Sequence, residues 1–536
     1  MVSKRASSVI GTLGISEMFA EIQGLKNNFF LNLAFLMASV LMLAPALGYV
    51  PSSNENTYLL LMAQQWDPTL LARDWTFAAP VYSHLVFSSL FGLLTIPFSM
   101  ETAGWIGRIL SWLLILLALI RLGRSFDIPL WMISLSIFLW LLYQQAPVGG
   151  EFVLGTFEAK SVAYIFLFFG LSELVRGRDL LASFLLGLCF TFHAVVGMWA
   201  LLSVGLSVLF LRYPFARLAK MAACVLIAAA PGLIVIWPTI SGNWGFTQEQ
   251  AKFLALVAAP FHMDPLSFPK RDVFLLLVLF CFDWLYFRSA PENKTFRLLN
   301  CFLFFLGLFF VAGIVARLTE HYRFLFYFPF RLFPVLVPLF FFFCLMSACH
   351  RSTFLRTGGR WLLAVGIVAL LSFPSVAGQL IDQAKRHYGY FSQYYDWDDM
   401  QKAFIWVSTN TPRDSTVILP PWRKESFYLT KRATVAHWPS PRMDRISEWQ
   451  ERIQALLGNF SIEDDHLGQK WEEHYNRLSE AEIAAIAAKY GGDYLISEGS
   501  YRYPILFDSG TYKVYTLRTA SSPLTGPAQS LNPPQK

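Results

Sequence analysis

Residues 298–316 read LLNCFLFFLGLFFVAGIVA, without a single charged side chain, and are bounded by Arg297 and Arg317. About 20 mostly apolar residues make a helix long enough to cross the hydrocarbon core of a bilayer. Lipid offers no partner to a backbone N–H or C=O, so such a run must satisfy its own backbone as a helix. Similar runs occupy 29–49, 80–99, 104–120, 128–146, 161–175, 180–211, 218–239, 271–288, 328–349 and 361–380. The run 180–211 is too long for one straight crossing and contains Thr191, His193 and Gly197, so it is expected to be kinked or divided in two. These runs predict a polytopic α-helical membrane protein with about eleven transmembrane helices.

Composition agrees. Of 536 residues, 55% are hydrophobic and 15% charged, with 50 Phe, 17 Trp and 21 Tyr. Soluble domains carry roughly 25% charged residues, and a soluble fold would need a very large core to hide so much apolar side chain. The net charge of +7 does not indicate nucleic acid. Its basic residues fall in short clusters between apolar runs: Arg121/Arg124, Arg176/Arg178, Arg212/Arg217/Lys220, Arg288/Lys294/Arg297 and Arg351/Arg356/Arg360. Cytoplasmic loops of membrane proteins are basic in this way. The six cysteines lie in apolar runs and form no CxxC pair, which suits small buried hydrophobes.

The charges also suggest a topology. Residues 1–28, with Lys4, Arg5 and Lys26, form a cytoplasmic N-terminal segment, and the run 29–49 is an uncleaved first helix rather than a signal peptide. The loops 51–79 and 240–270 then lie outside, as does everything after about residue 385. Between 80 and 211 two arrangements satisfy the charges. Either one run in 80–120 does not cross, or 180–211 crosses once and two basic loops face outward. In the first outer loop Leu59, Met62 and Ala63 share a helical face, predicting a helix lying in the interface. In 240–270 a helix is expected over 248–257, followed by a turn at His262-Met263-Asp264-Pro265.

The transmembrane domain extends over 29–384. Residues 385–518 are more charged and alternate helical and strand-like stretches, predicting an extracytoplasmic α/β domain. Helices are expected over 397–408, 447–457 and 479–489, and strands at 416–419, 433–437, 494–496 and 512–517. Residues 519–536 are rich in Pro, Ser and Gln and read as a disordered tail.

Charged groups near a membrane are costly and mark functional positions. Glu55 and Asp74 in the first outer loop could act as general base. Glu151, Glu158 and Lys160 bracket the start of the run 161–175, where helix-end decoration is the alternative. His193 lies deep in an apolar run and is either a packing residue or a ligand. Asp283 is expected to snorkel or to pair with Arg288. Arg323 and Arg331 stand beside many aromatics before the run 328–349, and a guanidinium fork matches phosphate geometry.

The arrangement resembles the GT-C superfamily of polytopic glycosyltransferases, which use sugars carried on polyprenyl phosphate or diphosphate. The similar stretches are Asn54-Glu55-Asn56-Thr57-Tyr58-Leu59-Leu60-Leu61-Met62-Ala63, Ala79-Pro80-Val81-Tyr82-Ser83-His84, Thr156-Phe157-Glu158, and Arg331 followed by Pro334 and Pro338. Where the family carries a catalytic Asp this chain has Asn54, and an amide cannot take up a proton. The resemblance implies transfer of a sugar from a polyprenyl-phosphate-linked donor to a lipid, glycan or protein acceptor, at the outer face of a bacterial inner membrane. It implies Glu55 or Asp74 as base. Glu158 would orient the acceptor, or share a divalent Mg or Mn with Glu55. Arg323, Arg331, Lys160 and His193 would bind the donor phosphate. A lipid or glycan flippase, or an assembly protein with a transferase-like fold, is the alternative reading. The sequence also resembles uncharacterised bacterial membrane proteins of this layout.

Overall fold

The computed structural model describes residues 29–43, 50–52, 54–77, 84–241, 247–351, 397–437, 445–458 and 467–518. The N-terminal segment, the run 361–380, residues 79–83 and the tail 519–536 fall outside the described residues. In chain order the helices of the first part are α1 (Phe29–Leu43), α2 (Glu55–Gln64), α3 (Leu85–Gly92), α4 (Met100–Gly123), α5 (Leu130–Leu142), α6 (Ala159–Val175), α7 (Asp179–Phe192), α8 (Ala194–Phe210) and α9 (Phe215–Ser241). They continue with α10 (Gln248–Phe253), α11 (Pro260–Met263), α12 (Lys270–Arg288), α13 (Lys294–Leu318), α14 (Tyr322–Leu325) and α15 (Phe333–Arg351). Among the described residues, four helical stretches are both long and apolar enough to cross a membrane: Met100–Phe126, Phe215–Pro238, Lys294–Leu318 and Phe333–Arg351. Helices α1, α5, α7 and α8 are apolar but shorter, so the expected eleven crossings do not follow from length alone. Ile227, Ile234, Phe274 and Leu285 are each at least 65% exposed. Large apolar side chains facing outward on long helices suit a lipid surface and are costly in water.

The run 180–211 is divided in two at His193, the residue that ends α7 and caps α8. Gly197 makes the tight turn possible, because a Cβ there would meet the Cα of Phe190 at 2.2 Å. Arg217, at the start of α9, pairs with Asp179, at the start of α7. The chain between them therefore goes out along α7 and returns along α8. The described part of the run 80–99, residues 84–99, forms α3 and a 3-10 turn over Leu93–Thr95, held against α2 by the Trp66 indole N–H donating to Ser89 O at 3.2 Å.

Helix α2 departs from expectation. Rather than lying in an interface, it is enclosed, with Leu59, Leu60 and Met62 fully buried. One side packs on Trp112 and Phe87, and Leu60 meets Leu71 and Phe427 of the C-terminal domain. Asp283 also differs. It is fully buried beside Cys344, so it does not snorkel, and among the described residues it forms no ion pair with Arg288.

The C-terminal domain comprises α16 (Asp399–Asn410), β1 (Thr416–Ile418), α17 (Ser426–Thr430), β2 (Ala433–Thr434), α18 (Ile446–Leu457), α19 (Leu467–Asn476), α20 (Glu480–Tyr490), β3 (Tyr494–Ser497), β4 (Ile505–Asp508) and β5 (Lys513–Thr516). The sheet order is β2-β1-β3-β5-β4. Strand β1 is parallel to β2 and β3, whereas β5 runs antiparallel to β3 and β4. Parallel neighbours need helical crossovers, and α20 precedes β3 with its start fixed by a Ser479–Glu482 capping box. The expected strands at 416, 433, 494 and 512 are present within a few residues, while β4, α17 and α19 have weak patterns and were not expected.

Asp74 fastens this domain to the bundle. It is fully buried; one oxygen accepts from Thr76 N–H at 2.8 Å and the other from Thr434 N–H at 2.8 Å. Arg445 adds a bond to Trp75 O at 2.9 Å. Burial pushes the Asp74 carboxyl up to about 6, against the pull of the Thr434 and Thr76 N–H groups. A raised carboxyl favours the folded state below its unfolded value, and that contribution is lost as pH rises through about 6, roughly 3 kcal/mol in all. Amide exchange over 432–437, corrected for intrinsic rate, is therefore expected to be slower at pH 5 than at pH 7. Asp74→Asn is expected to be less protected at pH 5 and insensitive to pH over this range.

Candidate functional site

The sheet-domain end of the bundle is built around an irregular segment, residues 143–158. Backbone without regular structure is tolerated at membrane depth only where protein encloses it or it lines a cavity. Gln144 and Gln145 both adopt positive φ, 78° and 62°, which side-chain-bearing residues rarely do. The Gln145 side chain holds the loop in place. Its oxygen accepts from Val153 N–H at 2.9 Å and Leu154 N–H at 2.8 Å, and its amide donates to Leu154 O at 2.8 Å. Trp140 donates to Gln145 O at 2.8 Å and Trp112 to Gly155 O at 2.7 Å. The two glycines that follow Val148 also have positive φ; a Cβ on Gly149 would meet Phe330 O at 2.9 Å.

This frame presents Glu151, whose buried side chain lies between two cations. Lys160 Nζ is 3.1 Å from one oxygen and Arg331 Nε 3.3 Å from the other. Lys160, at the start of α6, also approaches Glu158 at 3.4 Å and stands over the Phe152 ring at 3.7 Å. Glu158 accepts from Thr156 Oγ1 and, at 3.4 Å, from the Asn54 amide. Arg331 turns Nη1 toward His193 Nε2 at 3.5 Å and lies over Phe328. His193 Nδ1 accepts from Val196 N–H at 3.3 Å, so it also caps α8. His84 is 4.9 Å from the Tyr58 ring and 6.3 Å from the His193 ring, centroid to centroid. His262 contacts Gly149 O through Nδ1 at 2.7 Å. The carboxylates and Lys160 are buried, whereas His84, His193, His262 and Arg331 are half-buried and Gly150 is exposed, so the cluster reaches the surface on that side.

Burial raises the Glu151 carboxyl, but Arg331 and Lys160 outweigh it and hold the group below the usual carboxylate range. Burial and the Arg331 charge lower His262 to about 4, so it stays neutral near pH 7. The immediate cluster thus carries two carboxylates and two cations, and its charges balance.

Of the residues expected from sequence, Glu158, Lys160, Arg331 and His193 come together. Glu55 and Asp74 do not join them as free carboxylates. Glu55 is fully buried and accepts from Arg108 Nε at 2.7 Å, from Arg108 Nη2, from Phe157 N–H at 2.6 Å and from Ser52 N–H at 3.0 Å. Its lone pairs are occupied by a structural clamp that joins α2, α4 and the loop before α6. Asp74 is used in holding the C-terminal domain. Arg323 is exposed on α14 and, among the described residues, makes no ion pair with the cluster.

Among the described residues no three His, Cys, Asp or Glu side chains converge as a metal site. Glu55 and Glu158 are each paired with a cation of the chain, Arg108 and Lys160, which poorly suits an ion shared between them. Sequence reading missed Arg108, and gave Glu151 and His262 no place in a site. Arg108 left a signal, being the single charge inside the run 104–120. A signal for Glu151 was present in Pro147-Val148-Gly149-Gly150, which breaks an apolar stretch just before it. No family model matches the chain, and no curated protein matches it.

Proposed function

We propose that this protein is a membrane glycosyltransferase of the GT-C type, moving a sugar from a polyprenyl-phosphate-linked donor to an acceptor at the sheet-domain end. The observation that carries the reading is the pair of cations, Arg331 and Lys160, held against buried carboxylates in an enclosed irregular loop beside half-buried histidines. A guanidinium next to an ammonium suits a phosphate leaving group, whose charge grows as the glycosidic bond breaks. Glu158, fixed by Thr156 and Asn54, orients the acceptor hydroxyl. No step runs through a metal.

In this reading α1, α4 to α9, α12, α13 and α15 cross the bacterial inner membrane, and the sequence alone assigns a further crossing to 361–380. Helix α3 stays on one side and the α7–α8 hairpin crosses twice, which resolves the parity of the charges. Support comes from the ion pairs at the far ends of the helices. Arg121–Glu173 at 2.6 Å, Arg178–Glu173 at 3.4 Å and Arg351–Asp127 at 3.3 Å lie at the opposite end from the sheet domain. A basic far end suits the cytoplasmic side and so supports an outer position for the sheet domain.

The reading is tested in the host. Removing the protein is expected to delete or truncate a surface glycan, with wild type restoring it and Arg331→Met failing to do so. Unchanged glycans and lipid-linked intermediates after removal would contradict it.

A further inference from the structure

The proposed transfer needs a base, and the two carboxylates expected to serve, Glu55 and Asp74, are committed to structural bonds. We infer that Glu151 is the base, and that the donor's phosphate activates it by taking its cations. The inference rests on the transferase reading above.

Three observations converge on it. Glu151 is buried, and among the described residues its partners are the two cations, Lys160 at 3.1 Å and Arg331 at 3.3 Å, with no backbone N–H or hydroxyl donor. Glu55, by contrast, is fixed by Arg108 and two backbone N–H groups. Glu151 is thus held by two side-chain cations and not by the backbone, so an anion that takes those cations releases it. The second observation is charge balance. Glu151 and Glu158 already neutralise Lys160 and Arg331, so a phosphate entering this buried site adds net negative charge unless a carboxylate leaves. Glu158 is retained by Thr156 and Asn54, whereas the two cations are the partners of Glu151. The third is the backbone. Glu151 follows Gly149 and Gly150, whose φ values of +79° and +60° place glycine's conformational freedom beside the residue that must move.

Phosphate on Arg331 and Lys160 therefore leaves Glu151 a desolvated carboxylate without a counter-ion, and such a group is a stronger base than an ion-paired one. The acceptor O–H then gives its proton to a Glu151 oxygen. The acceptor oxygen bonds to the sugar's anomeric carbon, and the bond from that carbon to the phosphate oxygen breaks. Its electron pair leaves on polyprenyl phosphate, whose charge Arg331 and Lys160 hold.

The test is a steady-state comparison in nanodiscs with a polyprenyl-phosphate hexose and a polyprenyl-phosphate pentose as donors and a cell-surface glycan extract as acceptor. Glu151→Gln removes both the base and the phosphate's internal competitor. It is expected to lower kcat on the order of 100-fold or more while lowering KM for the donor. A residue that only supports the fold would raise KM or lower thermal stability without this split. Glu151→Asp keeps the charge and guards against a folding defect; its donor KM is expected within a few-fold of wild type, with kcat at least 10-fold down. Wild-type kcat within 3-fold in Glu151→Gln, or weakened donor binding in it, overturns the inference and leaves the transferase reading standing. Failure of the wild-type protein to turn over either donor overturns both.

Discussion

Glu55→Gln is expected to destabilise the folded protein by about 3–5 kcal/mol, the cost of stranding one partner of a buried ion pair. The group that loses its carboxylate is Arg108, which has no exposure and whose Nε and Nη2 both donate to Glu55. The loss extends beyond the pair, since Phe157 N–H and Ser52 N–H lose a charged acceptor as well. These bonds tie the start of α2 to the loop that positions Glu158, so the defect reaches the site indirectly. Thermal unfolding in detergent, followed by Trp fluorescence, reads the effect. Adding Arg108→Gln is expected to restore part of the loss, because it removes a buried guanidinium that has lost its carboxylate. A Glu55→Gln protein as stable as wild type but inactive would instead return Glu55 to the role of base.

The second large effect belongs to Arg331. Arg331→Met is expected to weaken binding of polyprenyl monophosphate on the order of 100-fold, within the 2–5 kcal/mol that follows removal of one member of a buried charge pair. The guanidinium presents Nε to the anion position and Nη1 toward His193, and Met fills its volume without charge. Arg331→Lys is expected to recover little, since an ammonium lacks the planar fork. Native mass spectrometry or thermal shift with added polyprenyl monophosphate checks both variants. Arg323→Met serves as the control and is expected to bind as wild type, because Arg323 is exposed on α14.

Much of this architecture was legible because apolar length and alternation are local properties. The apolar runs, the break at His193 and most strands of the sheet follow from neighbours within a few residues. Glu158, Lys160, Arg331 and His193 were legible as charged or polar groups in apolar surroundings, where their cost demands a reason. What those groups face was not legible. Glu55 meets Arg108 across 53 positions and Asp74 meets Thr434 across 360, and no periodicity reports such pairings. Both carboxylates read as free acids in a loop until their partners were in place. Glu151 was overlooked as a site residue for the opposite reason. Next to a helix start it resembles dipole decoration, and only the tertiary fold brings Arg331 to it.

The most direct measurement is release of polyprenyl phosphate from a polyprenyl-phosphate sugar by the purified protein in nanodiscs, with a cell-surface glycan extract supplying acceptors. Release is expected in proportion to glycosylated acceptor, at least 100-fold slower with Arg331→Met. Release no faster than from empty nanodiscs, or equal release by wild type and Arg331→Met, would contradict it.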